Sequence, residues 1–465
     1  MFRCFLNLPV LKMFVFASLV LASTGSMRAQ TSAGTNTIIE IGDAGAGLLQ
    51  APDGNFYSYT VQGNDPTCPG SSSPECSVIY QITPGGSVSV FHAFQPVAGA
   101  VSPNADGFMP TALIVGTDGN FYGSTYYAGP GGLGVIFKIT PGGVFSLLKS
   151  FGANSTGLDP GNEPNALIQG SDGNLYFTNS TGFYQLTLGG TFSTIYTFPI
   201  DGITQIASQG DNATSLVQGS DGSFYITLHT TPGVPIGTTG STVGGIVRIT
   251  PTGTPIPIHT FALDSSEGVS TGGPLVEGSD GNFYGINQVS NLSGTTIPGA
   301  AFKVTPGGTL TVLHSFPDII STRNSALFVG SDGNFYGATA LGGDMASSFC
   351  APYGSGTLYQ LTSSGLTTLH NFEGGLPTST VPSQNPLVDG FDPNTPVVQA
   401  SDELFYGTVV GGVFKFAPAT PLPPPIQPRK NEDCELCLAH KPAHMLFLPR
   451  DGRGIDLRDP GTRRP

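Results

Sequence analysis

Residues 113–123 read LIVGTDGNFYG, and close copies follow: LIQGSDGNLYF at 167–177, LVEGSDGNFYG at 275–285 and LFVGSDGNFYG at 327–337. Asp-Gly between two apolar runs is a strong signal for a β-hairpin, because glycine adopts positive φ at little cost. The turn aspartate occurs seven times, at Asp53, Asp118, Asp172, Asp221, Asp280, Asp332 and Asp402. The chain therefore contains seven repeat units of unequal length.

Each unit contains four short β-like runs, which in the second unit are ALIVG, FYGSTY, GVIFKIT and FSLLKSF. The last two runs are joined by Thr-Pro-Gly-Gly or a relative of it, where proline presets φ and glycine supplies the left-handed position. Four antiparallel strands repeated seven times predict an all-β, seven-bladed β-propeller. A solenoid of hairpins is the alternative on repeat length alone.

The two ends of the repeat region favour the propeller. The seventh unit, DELFYGTVVGGVFKFAPA, stops after its third run, and the missing fourth run occurs near the start of the chain as TNTIIEIGD. We predict that residues 37–41 complete the last blade and close the ring, since a solenoid gains nothing from a split repeat. The predicted propeller spans residues 30–417.

The Phe-Tyr pair after each turn is interpreted as scaffolding. Successive side chains of a strand point to opposite faces, and both faces of a propeller blade pack on neighbouring blades. A catalytic residue is needed once, whereas this pattern recurs in every unit. The tyrosines concerned are Tyr57, Tyr122, Tyr176, Tyr225, Tyr284, Tyr336 and Tyr406.

The repeated pattern GSDGNFYG…GVIFKITPGG…LLKSF resembles the Gloeo-Verruco (GloVer) tandem repeat of secreted bacterial proteins, over about residues 43–417. More loosely, the Asp-Gly-Asn-aromatic hairpin is similar to propellers of the NHL and streptogramin-lyase types. The GloVer resemblance implies an exported tandem-repeat protein.

The regions outside the repeats have different compositions. In residues 1–29, Arg3 and Lys12 precede an apolar run at 13–22, and small residues follow it, which predicts a signal peptide and a secreted, extracellular or periplasmic monomer. That run is too short to span a membrane.

Residues 418–465 begin with a Pro-rich hinge and are predicted to be a disordered tail. Their Cys434, Cys437, His440 and His444 have spacing unlike that of zinc fingers, and metal binding there stays open. Export also allows a disulfide, predicted between Cys68 and Cys76.

Charge suggests a functional face. Six Lys/Arg and 25 Asp/Glu lie between residues 31 and 417, a net formal charge of −19. Such a field repels nucleic acids and anionic membranes. Most acids outside the hairpin turns fall in the long connections, which lie on the opposite side from the tight turns. These acids predict a site for Ca²⁺ or a cationic partner, with solubility as the alternative reading. The candidate ligands are Asp159, Glu163, Asp201, Asp211, Asp264 and Glu267.

Two rows of polar residues recur on the outer strands of the units. Histidines occupy one position of the fourth run and are expected to be exposed strand residues rather than metal ligands: His92, His259, His314 and His370. A polar row on the third run is expected to lie on a partly exposed edge: Gln81, Lys138, Gln185, Arg248, Lys303, Gln360 and Lys415.

Motifs for nucleophilic catalysis, zinc proteolysis and phosphate binding are missing from the sequence. The sequence therefore favours a non-catalytic module that binds an extracellular glycan, protein or cation through its acidic face. The alternative is a lyase- or lactonase-like propeller enzyme acting on an extracellular polysaccharide or small ester, because propellers host both kinds of function.

Overall fold

The structure is a computed structural model that describes residues 36–40, 46–60, 77–97, 103–154, 157–158, 160–179, 181–198, 213–228, 244–261, 267, 273–287, 290–292, 295–297, 299–316, 326–343, 354–362, 365–372, 392–393, 395–409 and 412–417. These residues belong to the first of two compact units, Met1–Pro423. The predicted signal peptide, the tail and both cysteines of the predicted disulfide lie outside the described residues.

The strands of the first three blades follow β1 along the chain. They are β1 (Asn36–Glu40); β2 (Ala46–Gln50), β3 (Phe56–Tyr59), β4 (Val78–Ile82) and β5 (Val88–Ala93) in blade 1; β6 (Phe108–Val115), β7 (Phe121–Tyr127), β8 (Gly132–Ile139), β9 (Phe145–Asn154) and β10 (Gly157–Leu158) in blade 2; and β11 (Leu167–Gln169), β12 (Leu175–Thr178), β13 (Gly182–Leu186) and β14 (Phe192–Thr197) in blade 3.

The remaining strands form blades 4 to 7. They are β15 (Ala213–Gln218), β16 (Phe224–Leu228), β17 (Gly245–Ile249) and β18 (Pro255–Thr260) in blade 4; β19 (Val276–Glu277), β20 (Phe283–Asn287), β21 (Ser290–Leu292), β22 (Thr295–Ile297), β23 (Gly299–Val304) and β24 (Leu310–Phe316) in and beside blade 5; β25 (Phe328–Val329), β26 (Phe335–Thr339), β27 (Thr357–Thr362) and β28 (Gly365–Asn371) in blade 6; and β29 (Val398–Gln399), β30 (Phe405–Val409) and β31 (Gly412–Phe416) in blade 7.

The predicted seven-bladed propeller is confirmed. Blades 1 to 6 are antiparallel sheets of four strands in sequence order, to which β10 adds a short fifth strand in blade 2, and β21–β22 form a separate hairpin. In blade 7 the order is β1-β31-β30-β29, and Asn36 lies opposite Phe416 in the pairing of β1 with β31. That this strand closes and stabilises the ring stays a prediction.

Adjacent blades pack through the Phe-Tyr pair that follows each Asp-Gly turn. Tyr57 of blade 1 faces Phe121 of blade 2 with ring centroids 4.4 Å apart, and Phe56 faces Tyr406 of blade 7 at 4.2 Å. The same contact joins four further interfaces: Tyr176–Phe224, Tyr225–Phe283, Tyr284–Phe335 and Tyr336–Phe405. At the remaining interface, Leu175 takes the place of phenylalanine in the cluster of Tyr122. The predicted burial of the pair is confirmed in six blades, and in blade 5 Tyr284 is half-buried.

A β-bulge recurs in the outermost strand of blades 1 to 6. In blade 1 the partners of Ile79 and Tyr80 are His92 and Val90, which leaves Phe91 without a partner in β4. Phe91 packs instead into the core between blades 1 and 2. The equivalent residues Leu148, Ile195, Ile258, Leu313 and Leu369 pack likewise against the next blade. The bulge turns half of each outer strand towards its neighbour, which limits the edge open to other chains.

Candidate functional site

On the tight-turn face, each turn aspartate organises its own hairpin. In blade 2, Asp118 Oδ1 accepts a hydrogen bond from the backbone N–H of Asn120 at 3.1 Å. Asp118 Oδ2 accepts from Asn120 Nδ2 at 2.7 Å and from Tyr122 Oη at 2.8 Å. The Tyr-to-Asp hydrogen bond recurs in all seven blades. These carboxylates are therefore committed to the hairpins.

The residues of the polar row on the third strand are partly exposed, as expected, and they also belong to the same network. The Lys138 ammonium lies 3.4 Å from Asp118 Oδ2, and the Arg248 guanidinium lies 2.8 Å from Asp221 Oδ2. Lys415 pairs with Asp402 at 3.3 Å. Three glutamines instead donate to the tyrosine hydroxyl at 2.7 Å: Gln81, Gln185 and Gln360.

This network lowers the pKa of a turn aspartate and raises the pKa of the tyrosine bonded to it. Burial acts to raise the pKa of Asp118, but the hydrogen bonds from Asn120 and Tyr122 and the charge of Lys138 lower it to about 2. Burial, together with the hydrogen bond to Asp53, raises the pKa of Tyr57 to about 12. The aspartate is thus charged and the tyrosine neutral at physiological pH, which is the state that the hydrogen bond between them requires.

A second repeated contact joins the tight-turn ends of neighbouring blades. Gln169 lies at the end of β11. Its Oε1 accepts a hydrogen bond from the backbone N–H of Thr117 in blade 2 at 2.7 Å, and its Nε2 donates one to Gly173 O in its own turn. Equivalent contacts to the preceding blade are Gln50–Ser401, Gln218–Ser171, Glu277–Ser220 and Gln399–Ser331. We call this contact the blade latch. Valine replaces the acceptor at the two other positions, Val115 and Val329.

On the long-connection face, the structure describes two of the six predicted ligands, Glu163 and Glu267. Glu163 lies in the connection into blade 3, and Glu267 lies in the connection into blade 5. Among the described residues, no cluster of three or more His, Cys, Asp or Glu side chains could hold a metal ion. The other four predicted ligands, Asp159, Asp201, Asp211 and Asp264, lie outside the described residues.

Two histidines of the fourth strand bind acids of the long connections, so the expectation that they are simply exposed was wrong. His92 Nε2 lies 3.2 Å from Asp106 Oδ2, and His259 Nε2 lies 3.1 Å from Glu267 Oε2. His92 and His259 are 15% exposed, and each packs edge-on against the phenylalanine two residues later. His314 and His370 make the same aromatic contact. The histidine row therefore anchors the outer strands and, in two blades, the connections that follow them.

Sequence reasoning also missed a strained step at the entrance to three inner strands. Met109, Glu163 and Asp392 have φ between 54° and 57°, and each precedes a proline. The backbone N–H of Glu163 donates to Leu133 O of blade 2 at 2.9 Å. The Met109 and Asp392 N–H groups likewise bond to the preceding blade. The proline that follows each of these residues, at 110, 164 and 393, was the sequence feature from which this step could have been found.

The sequence profile of the Gloeobacter/Verrucomicrobia repeat matches residues 178–414, just over half of the chain. The protein belongs to this repeat family. No curated protein sequence matches the chain at a significant level.

Solved structures similar to this Gloeobacter/Verrucomicrobia repeat protein show the same fold. A streptogramin B lyase is 14% identical with a TM-score of 0.52, over 83% of this chain and 98% of the other. Virginiamycin B lyase from Staphylococcus aureus is 14% identical with a TM-score of 0.51, over 83% and 99%. An extracellular domain of BT3049 from B. thetaiotaomicron, described as a hybrid two component system, is 13% identical with a TM-score of 0.50, over 82% and 41%. At these identities the similarity establishes the fold alone.

The described cations of this repeat protein lie away from the long connections. Lys138, Arg248 and Lys415 pair with turn aspartates, and the charge of Lys303 acts on Asp280. Lys149 lies 5.5 Å from the ring centroid of Phe151 at the outer rim. The sixth cation, Arg323, lies outside the described residues. Four of the seven turn aspartates thus have a lysine or arginine of the same blade beside them.

Proposed function

We propose that the protein is a secreted, monomeric, non-catalytic binding module that holds a positively charged ligand on its long-connection face. The observation that supports this most is the unequal use of cations. Lys138, Arg248 and Lys415 are bound to turn aspartates, so the acids of the long connections keep most of the net charge of −19.

The chemistry of the two faces points the same way. Each turn carboxylate is already engaged by a tyrosine hydroxyl, and most by an asparagine amide as well, which leaves little capacity for a ligand. Connections of variable length on a rigid scaffold are the usual place for binding residues. Clustered carboxylate oxygens favour hard cations such as Ca²⁺ and attract cationic partners. Secretion rests on the N-terminal sequence, and no helix among the described residues has the length and apolar character of a membrane span.

Isothermal titration calorimetry with CaCl₂ tests the proposal. The variant changes Asp159, Glu163, Asp201 and Asp211 to Asn or Gln, which removes four of the predicted ligands. The control changes Glu432, Asp433, Glu435 and Asp451 of the tail in the same way, so that both variants lose the same charge. We expect binding heat and a rise in the thermal midpoint for the parent and the tail control, and neither for the first variant.

Two results would contradict this proposal. Absence of calcium heat and of stabilisation in the parent, together with no affinity for a polylysine probe, would leave solubility as the role of the acids. Equal binding by all three proteins would place the site elsewhere. The similarity to lyases carries no activity to this chain, because 14% identity shows only the fold.

A further inference from the structure

The outer edge of blade 1 differs from the outer edges of blades 2 to 6. Ser87, Val88, Ser89 and Val90 are all exposed, with Val90 43% exposed. The rest of β5 is half-buried, because the bulge at Phe91 turns it towards blade 2. A stretch of about four residues of edge strand is therefore open beside the Thr-Pro-Gly-Gly turn of this blade.

The register shows which backbone groups this stretch presents. The N–H of Thr83 donates to Ser87 O, and Gln81 pairs with Ser89 two residues further along. Pairs in an antiparallel ladder alternate, so Val88 and Val90 occupy the non-hydrogen-bonded positions opposite β4. Their N–H and C=O groups consequently point away from the blade, and no described strand pairs with them.

Blades 2 to 6 carry a proline or a half-buried side chain in the register of Val88 and Val90. Blade 4 has Pro255 and Pro257 in the same register, opposite Ile249 and Val247, and proline has no N–H to donate. In blade 2 the first position is Phe145, whose ring stacks on His92 of blade 1 with centroids 4.7 Å apart. In blades 3, 5 and 6 the residue in the register of Val88 is half-buried, and these residues are Phe192, Leu310 and Leu366. Blade 1 alone among these six combines two free donors with exposed valines.

Exposed apolar side chains extend this edge onto blade 2. Val144 is 63% exposed and Leu147 is 40% exposed, and the stacking of Phe145 on His92 holds them beside β5. β5 and its turn contain no charged residue, so a charged peptide meets no opposing group in the strand itself. The net charge of −19 in residues 31–417 attracts a basic peptide over a longer range.

We propose that residues 87–90 form a docking edge for an extended segment of a partner polypeptide, apolar in alternate positions and basic at its ends. The segment adds as a further antiparallel strand, with backbone hydrogen bonds to Val88 and Val90 and its apolar side chains on the valines and Leu147. This surface lies on the outer rim, apart from the long-connection face, and does not depend on the function proposed for that face.

Fluorescence anisotropy with a labelled peptide of alternating valine and threonine flanked by lysines tests the docking edge. The variant is Val90→Pro, which copies the proline that blade 4 already carries at position 257 and is therefore compatible with the fold. Val88→Pro copies Pro255 and gives a second variant. Thr194→Pro, in the same register of blade 3, is the matched control. Thermal melts confirm that each protein is folded.

We expect the peptide to bind the parent and Thr194→Pro equally, and to bind Val90→Pro and Val88→Pro about tenfold more weakly, as the loss of a backbone hydrogen bond predicts. Equal binding to all four proteins, or absence of binding to the parent, would overturn the proposal. Sedimentation of the parent without peptide adds a further outcome. Self-association that Val90→Pro abolishes would assign the edge to a second copy of this chain and would likewise overturn the partner assignment.

Discussion

At the scale of single residues, the seventh turn departs from the other six. Residue 403 is a glutamate with φ of 66°, where the other hairpins have glycine at φ of 73° to 81°. A side chain in this left-handed region is strained, whereas glycine is not. We predict that Glu403→Gly raises the free energy of unfolding by about 1 kcal/mol, measured by urea denaturation. Gly119→Glu, the reverse change in blade 2, is expected to lower it. An unchanged value for Glu403→Gly would contradict the strain.

Two buried tyrosines of the third strands provide a second residue-scale prediction. Tyr184 Oη lies 2.8 Å from Thr181 Oγ1, whereas Tyr359 Oη is buried and has no hydrogen-bond partner among the described residues. A buried hydroxyl without a partner loses its hydration, and one with a partner regains that energy. We predict that Tyr359→Phe raises the free energy of unfolding and Tyr184→Phe lowers it, each by about 1 kcal/mol. Equal effects of the two changes in urea denaturation would refute this distinction.

At the scale of elements, the blade latch accounts for one of the two valines that replace its acceptor. The latch needs an acceptor at the end of the inner strand and a backbone N–H in the preceding blade. Where Val115 replaces the acceptor, the residue expected to supply the N–H is Pro52, which has none. Where Val329 replaces it, the corresponding residue is Ser279, which keeps its N–H.

These exceptions yield a prediction with an internal control. Gln169→Val should lower the free energy of unfolding by about 1 kcal/mol, because it removes the acceptor of the Thr117 N–H. Val329→Gln should raise it, because Ser279 can then donate. Val115→Gln should not raise it, since Pro52 cannot donate. Thermal unfolding of the three variants decides the matter, and equal gains from the two Val→Gln changes would show that the latch is not the cause.

The same elements show how far the sequence predicts this protein. The Asp-Gly and Thr-Pro-Gly-Gly turns depend on local backbone chemistry, so the strands, the blade count and the burial of the Phe-Tyr pairs could be predicted. The role of the polar row could not, because the contact of Lys138 with Asp118 depends on strand register. The bulge at Phe91 and the contact of His92 with Asp106 depend on packing between segments. The candidate acids could be identified from charge alone, but their mutual distances could not.

At the scale of the whole molecule, the structure is a ring of repeated interfaces. Tyrosine meets phenylalanine at six of the seven blade interfaces, including the one at which Tyr406 of the last blade meets Phe56 of the first. Gln50 and Ser401 form the blade latch at that same interface. The first and last blades are therefore joined by the same kinds of contact as the others. What remains to be tested is the contribution of β1 to this ring.

Thermal unfolding of a chain that lacks residues 30–42 tests the ring most directly. The deletion removes β1, which leaves the edge of β31 unpaired. Truncation after Ala417 is the control, because the tail is predicted to lie outside the propeller. We predict that the first deletion strongly lowers the thermal midpoint or causes aggregation, and that the control melts like the parent. A chain without residues 30–42 that melts like the parent would contradict closure of the propeller by its N-terminal strand.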